Sequence, residues 1–304
     1  MNSLDIDAKE RITPATLLKR PLSLPSSLLL VVLAVTWHLI LPTTRAVTPA
    51  PDGGYPNDNT AEGTDALLNL SSGVNNTAVG FEALNKDTIG SNNTANGDEA
   101  LFSNTTGSNN TAIGLQALIL NTIGNGNTGT GSQALNHNTA GSSNTATGSA
   151  ALFSNTTGRD NTASGSSALQ NNTADNNTAT GFGALFSNSS GAENTATGSQ
   201  ALLNNTTGGD NTAMGISALS KNVSGGANTA TGAFALFNNT AGAFNTAAGD
   251  GALRNDTGNS NTAVGIQALN NNTSGSLNTA LGALAGQNLT TGNNNIVIGA
   301  NVPG

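Results

Sequence analysis

The stretch Asn110-Thr111-Ala112-Ile113-Gly114, followed by Ala117-Leu118, decides the reading of this chain. It returns 17 residues later as Asn127-Thr128-Gly129-Thr130-Gly131 with Ala134-Leu135. Extended both ways, the unit N-T-A-x-G-x-x-A-L-x-x-N-T-x-G-x-x starts fifteen times, from Asn59 to Asn295. Of the fourteen steps, twelve are 17 residues and two are 16. A period this strict specifies an array of small units that stack on their neighbours.

Within one unit the N-T-A-x-G segment, rich in Thr and β-branched residues, predicts a short strand. Its third position is Ala in thirteen of fifteen copies, which marks a tightly packed inward site. Strand alternation then sends the Thr and the variable x outward. The glycine closing N-T-A-x-G and the glycine of the N-T-x-G corner, as at Gly107, Gly124 and Gly141, are both expected at positive φ. Asp175 takes the corner place in the first short unit. The A-L-x-x-N segment is open between a second strand and one to two helical turns, with the helical turn favoured. Together these features predict an all-β parallel β-solenoid of about fifteen coils, near 70 Å long at about 4.8 Å per coil.

A Leu follows the second Ala in thirteen copies, from Leu67 to Leu269. One buried Leu per coil stabilises by about 2–3 kcal/mol, too little to order 17 residues. Backbone ladders, stacked Asn side chains and contacts with other subunits are expected to supply the rest. Phe102, Phe153, Phe186 and Phe237 share the position after the Leu. Such a stripe reads equally as a covered face between subunits or as a small local core beneath the corner. In the last copy, Asn295-Ile296-Val297-Ile298-Gly299, branched aliphatics replace Thr and Ala, as expected of a terminal repeat.

The first 46 residues are different. Lys9, Arg11, Lys19 and Arg20 precede an uncharged apolar run from Leu28 to Leu41, and Thr44-Arg45-Ala46 follows. Residues 1–46 read as a signal peptide or an uncleaved signal anchor, with cleavage after Ala46 favoured. Residues 47–58 are a turn-rich linker and residues 59–304 the repeat solenoid. The leader places the protein outside the cell or on its surface, and only an uncleaved leader would hold a membrane. Beyond residue 46 there remain four basic and fourteen acidic residues, thinly spread. This balance argues against nucleic acid. Cysteine is absent, so no disulfide staples the chain.

Units such as Asn76-Thr77-Ala78-Val79-Gly80 and Asn261-Thr262-Ala263-Val264-Gly265 resemble the head repeats of YadA-like trimeric autotransporter adhesins. The similarity extends to repetitive bacterial and phage fibre proteins and covers everything from Asn59 onward. It implies a left-handed parallel β-roll, three chains side by side, exposed at the cell surface and used for attachment.

Chemistry is sparse. His137 lies in the corner Asn136-His137-Asn138 and reads as a surface substitution. Asp58, Asp160, Glu193 and Asp210 precede the motif Asn, but the other copies lack an acid there, so no calcium-binding array is written. No catalytic, cofactor or metal residues are nominated, and the expected function is a non-enzymatic structural or adhesive rod. Its expected partners are further copies of itself and an unknown surface or matrix ligand. An alternative rests on the T-x-T pairs Thr128 and Thr130, Thr145 and Thr147, Thr178 and Thr180, Thr195 and Thr197, and Thr229 and Thr231. Stacked coils would space them about 4.7–4.9 Å along the rod and roughly 6.5–7 Å across it. That pattern resembles the threonine arrays of ice-binding solenoids, and against it Glu62, Asn96, Met214 and Leu281 interrupt the pair column.

Overall fold

The computed structural model describes residues 55–304. The leader at 1–46 and most of the linker at 47–58 lie outside the described residues. Every unit contributes one three-residue strand, from β1 (Thr60–Glu62) to β15 (Ile296–Ile298), and the fifteen strands form one parallel sheet in chain order. The described chain is therefore an all-β solenoid. Register follows the repeat: Thr111, Ala112 and Ile113 pair with Thr128, Gly129 and Thr130, and each later strand repeats the match across both short coils.

The core is as narrow as the sequence predicts. The strand Ala, the second Ala and the Leu of each interior coil are fully buried, forming one continuous cluster from Ala61 to Val297. The strand's outer positions face away from that cluster, as the exposed–buried–exposed pattern of Thr145–Thr147 shows.

The A-L-x-x-N segment contains no helix. In the coil from Asn110, Gln116 and Leu118 sit at φ of 55° and 54°, and nearly every coil repeats the pair. Two left-handed residues separated by one other residue interrupt the run of right-handed φ/ψ that a helix needs. The segment folds instead as successive turns, Ala117 N–H donating to Gly114 O at 3.3 Å and Asn121 N–H to Leu118 O at 3.0 Å. The strained Leu is held from the next coil, where its N–H donates to Ala134 O at 2.9 Å.

The two glycine columns differ in backbone geometry. Gly114, closing the strand, has φ 128°, as expected. Gly124, in the corner, does not have positive φ; a Cβ there would run into the carbonyl oxygen of Gly141 in the next coil and into Asn121 Oδ1. The second column is thus glycine for close approach between coils, a correction to the expected turn geometry. In the short coil from Asn161 the corner carbonyl belongs to Ala174, which accepts from Asn161 Nδ2 at 2.8 Å. Asp175 stands one place further on and accepts the Arg159 N–H at 2.8 Å.

Two asparagine ladders run through the stack. In the first, Asn127 N–H donates to Asn110 Oδ1 at 3.0 Å, while Asn127 Nδ2 reaches Gly141 O at 2.8 Å. This backbone-to-Oδ1 bond recurs at all fourteen steps from Asn59 to Asn295. The second ladder uses the Asn three residues after the Leu, whose Nδ2 donates to the equivalent Oδ1 one coil earlier, as from Asn138 to Asn121 at 2.8 Å.

The second ladder is directional and falls into three segments: Asp87 to Asn155, Asn172 to Asn239, and Asp256 to Asn272. The breaks coincide with the two short coils. In each, the deleted residue lies between this position and the next motif Asn, and the side chain turns to accept that residue's amide. Asn177 Nδ2 donates to Asn172 at 3.2 Å and Asn261 Nδ2 to Asp256 at 3.1 Å. The last Oδ1 of each segment, on Asn155, Asn239 and Asn272, is left without a donor. The first residue of a segment donates to no Oδ1 one coil earlier, as Asn172 Nδ2 shows by turning to Ala174 O at 2.8 Å, so an acceptor-only side chain is tolerated there. Asp87 and Asp256 stand at two of these three starts.

This directionality predicts a position effect. At pH 8, Asn121→Asp, inside a segment, should destabilise the rod by about 1–3 kcal/mol more than Asn172→Asp at a segment start, because it removes the donor that satisfies Asn104 Oδ1. Equilibrium denaturation of the two variants checks it. In the same assay, Gly124→Ala should cost about 1–3 kcal/mol through overpacking between coils.

Candidate surface-binding face

The face begins with the register of the strands. Each Thr-Ala-x strand turns its Ala inward, so Thr and x stand outward, and parallel in-register pairing stacks each type in its own column. The Thr column runs unbroken from Thr60 to Thr279 and ends at Ile296. The x column changes along the rod, and that change defines the candidate site.

The structure brings together four of the five nominated pairs. They lie on β5 (Thr128–Thr130), β6 (Thr145–Thr147), β8 (Thr178–Thr180) and β9 (Thr195–Thr197). Between them, β7 (Thr162–Ser164) pairs Ser164 with both Thr147 and Thr180. Five consecutive strands therefore present two hydroxyls each. Considering only T-x-T pairs overlooked Thr162 and Ser164; treating Ser as an equivalent hydroxyl would have found them. The fifth pair, on β11 (Thr229–Thr231), is separated from the block by β10 (Thr212–Met214), where Met214 stands between Thr197 and Thr231.

Outward exposure within the block is uneven. Both hydroxyl residues are exposed on β6, β7 and β8, only Thr197 is fully so on β9, and both are half-buried on β5. Before the block the x column alternates polar and apolar, Glu62, Val79, Asn96 and Ile113; after it the column is mostly apolar, Met214, Thr231, Ala248, Val264, Leu281 and Ile298. Leu281 and Ile298 are 49% and 66% exposed. One outer surface thus carries a hydroxyl block, preceded by alternating polar and apolar residues and followed by a mostly apolar stretch.

The Phe stripe is half-buried at Phe102, Phe153, Phe186 and Phe237. The chain itself covers much of it. Lys86 Nζ lies 4.4 Å from the Phe102 ring centroid and Lys221 Nζ 4.9 Å from that of Phe237. His137 packs edge-on against Phe153, with centroids 4.5 Å apart, and its Nδ1 lies 3.3 Å from Phe153 O. These contacts fit the local-core reading of the stripe and give His137 a packing role.

Titratable chemistry is confined to isolated groups. Among the described residues no group of three or more His, Cys, Asp or Glu side chains could hold a metal ion. Among them, too, no helix is long and apolar enough to cross a membrane. Two carboxyls are perturbed. Burial pushes Asp87 and Asp256 up to about 6, against hydrogen bonds that favour the ionised form, from Gly90, Asn93, Asn104 and Thr88 at Asp87 and from Gly258, Asn261 and Asn272 at Asp256. Both belong to the second asparagine ladder and lie away from the strand's outer face. No protein-family model matches the chain, and no curated protein matches it.

Proposed function

We propose that this protein is a non-enzymatic structural rod, secreted or held at the cell surface, that attaches to a surface or builds a matrix. The observation that carries the reading is the outward strand face. It repeats at coil spacing for fifteen strands and presents hydroxyl and apolar side chains in fixed columns. Repetition of weak contacts along a stiff array multiplies affinity without any deep pocket. The leader at residues 1–46 and the resemblance to adhesin head repeats support the surface location. That resemblance also supports self-association as a homotrimer. Exposed Met214, Ile216, Ile266 and Leu281 offer apolar area for a second copy to cover.

A second reading, ice binding, is favoured by one observation: five consecutive strands carry two hydroxyl residues each, in register, from Thr128 to Thr197. Such a lattice suits an ordered water surface. The mostly apolar x positions that follow it suit attachment better, so ice binding ranks second.

Surface attachment and thermal hysteresis measured on the same purified protein separate the readings. The rod reading predicts attachment without hysteresis, and it predicts that Thr147→Lys, Thr180→Lys and Thr197→Lys together leave the fold intact. Hysteresis lost in that triple variant, with attachment unchanged, would move the assignment to ice. Light scattering is expected to give three times the chain mass; a stable monomer would remove the trimer.

A further inference from the structure

At the second break in the asparagine ladder the rung itself is a carboxyl group, Asp256, where the first break has Asn172. Asp256 is fully buried. Its Oδ1 accepts from the Gly258 N–H at 3.0 Å and from Asn272 Nδ2 at 2.7 Å, and its Oδ2 accepts from Asn261 Nδ2 at 3.1 Å. At the equivalent position one coil earlier, Asn239 Nδ2 donates to Asn222 Oδ1 and Gly242 O, while Asn239 Oδ1 has no donor. Two buried acceptors therefore occupy successive rungs of one column.

No cation relieves them. The coils on either side, residues 228–244 and 261–277, contain no ionisable side chain at all. Within the coil 245–260 the other charged residues are Asp250 and Arg254, both exposed. The Arg254 guanidinium lies over Phe234 and Phe237, 5.3 and 5.8 Å from their ring centroids.

We propose that the junction between coils 228–244 and 245–260 is a pH-sensitive seam, tight while Asp256 holds its proton and loosened when the proton leaves to solvent. The proton removes the buried charge, whereas ionisation leaves a buried carboxylate on the rung that follows the orphaned Asn239 Oδ1, in a site without counter-charge. Burial holds the Asp256 carboxyl up at about 6, against an ordinary 3.8. A group whose pKa is raised in the closed state stabilises closure fully below its ordinary value, and that contribution is lost as pH rises through the raised one. The window is therefore about pH 4 to 6 and somewhat above.

Two places in the same rod serve as controls. The first short-coil junction lacks the same residue and orphans Asn155 Oδ1, but Asn172 stands where Asp256 does, so its rung holds no buried carboxyl, and the Asp175 carboxyl that bridges this junction is exposed. Asp87 is likewise buried, yet the preceding rung is Leu70, which offers no acceptor to oppose it.

Amide hydrogen exchange on the full chain at pH 5 and pH 7.5, corrected for intrinsic exchange, tests the seam. The Leu236 N–H crosses it to Ala252 O and the Leu152 N–H crosses the first junction to Ala168 O, both at 3.0 Å. The opening constant at Leu236 should rise about tenfold over this range while that at Leu152 stays level. Asp256→Asn should flatten the Leu236 response, because Asn172 shows that an amide fits the position, and Asp87→Asn should leave it unchanged. Equal pH responses at Leu236 and Leu152 in the parent protein would overturn the proposal without any variant. A tenfold rise that survives Asp256→Asn would do the same.

Discussion

One hydrogen bond sets the terms for the rest of the structure: the side-chain Oδ1 of each motif Asn accepts the backbone N–H of the motif Asn in the next coil. It ties a side chain of one repeat to the main chain of the next, so it forms only if successive coils keep the same register. It survives both short coils at 3.0 and 2.9 Å. The second ladder, joining side chain to side chain, breaks at both. Deleting one residue is absorbed in the corner, away from the strand, and the sheet continues without a slip. A stack whose hydrophobic core is one Leu and two Ala per coil depends on such buried polar contacts, since an unmade one costs more than a made one gains.

The glycines follow from the same constraint. Coils must lie close enough for Asn110 to reach Asn127, and at that separation neither Gly114 nor Gly124 has room for a side chain. The Cβ of either would meet the carbonyl oxygen of its counterpart in the next coil. The strand Ala column is packed against the Leu column: a Cβ at Gly129, which stands in it, would lie 3.5 Å from the Leu118 side chain. The left-handed Leu residues are the conformational cost, about 1–2 kcal/mol each, offset by burial and by the N–H bond to the next coil.

The strand, its inward Ala, its outward Thr and its parallel stacking could be derived from Asn110 to Gly114 and the period alone, because alternation and repetition are linear properties. What could not be derived depends on neighbours in space. Leu118 at φ 54° is invisible to propensity, since nothing local makes Leu left-handed; the bond from its N–H to Ala134 O does. Gly124 looked like a turn glycine because close approach between coils leaves the same mark on a sequence as positive φ. The hydroxyl block is partly legible: the pairs from Thr128 to Thr197 and the interruption at Met214 can be read from the sequence, while Ser164 counts only once Ser is treated as an equivalent hydroxyl. The roles of Asp87 and Asp256 required the direction of the amide donors, which no pattern of letters records.

The central claim is that the first asparagine ladder matters at least as much as the Leu column. Comparing Asn144→Ala with Leu152→Ala by urea denaturation tests it most directly, because both residues are fully buried in the same interior coil. Removing the Asn144 side chain leaves the Asn161 N–H without its acceptor and takes away the Nδ2 that donates to Asn127 Oδ1 and Gly158 O, while the Asn144 backbone N–H still reaches Asn127 Oδ1. The account predicts a loss at least as large as that of Leu152→Ala, which should be about 2–5 kcal/mol. An Asn144→Ala rod within about 0.5 kcal/mol of the parent would contradict it.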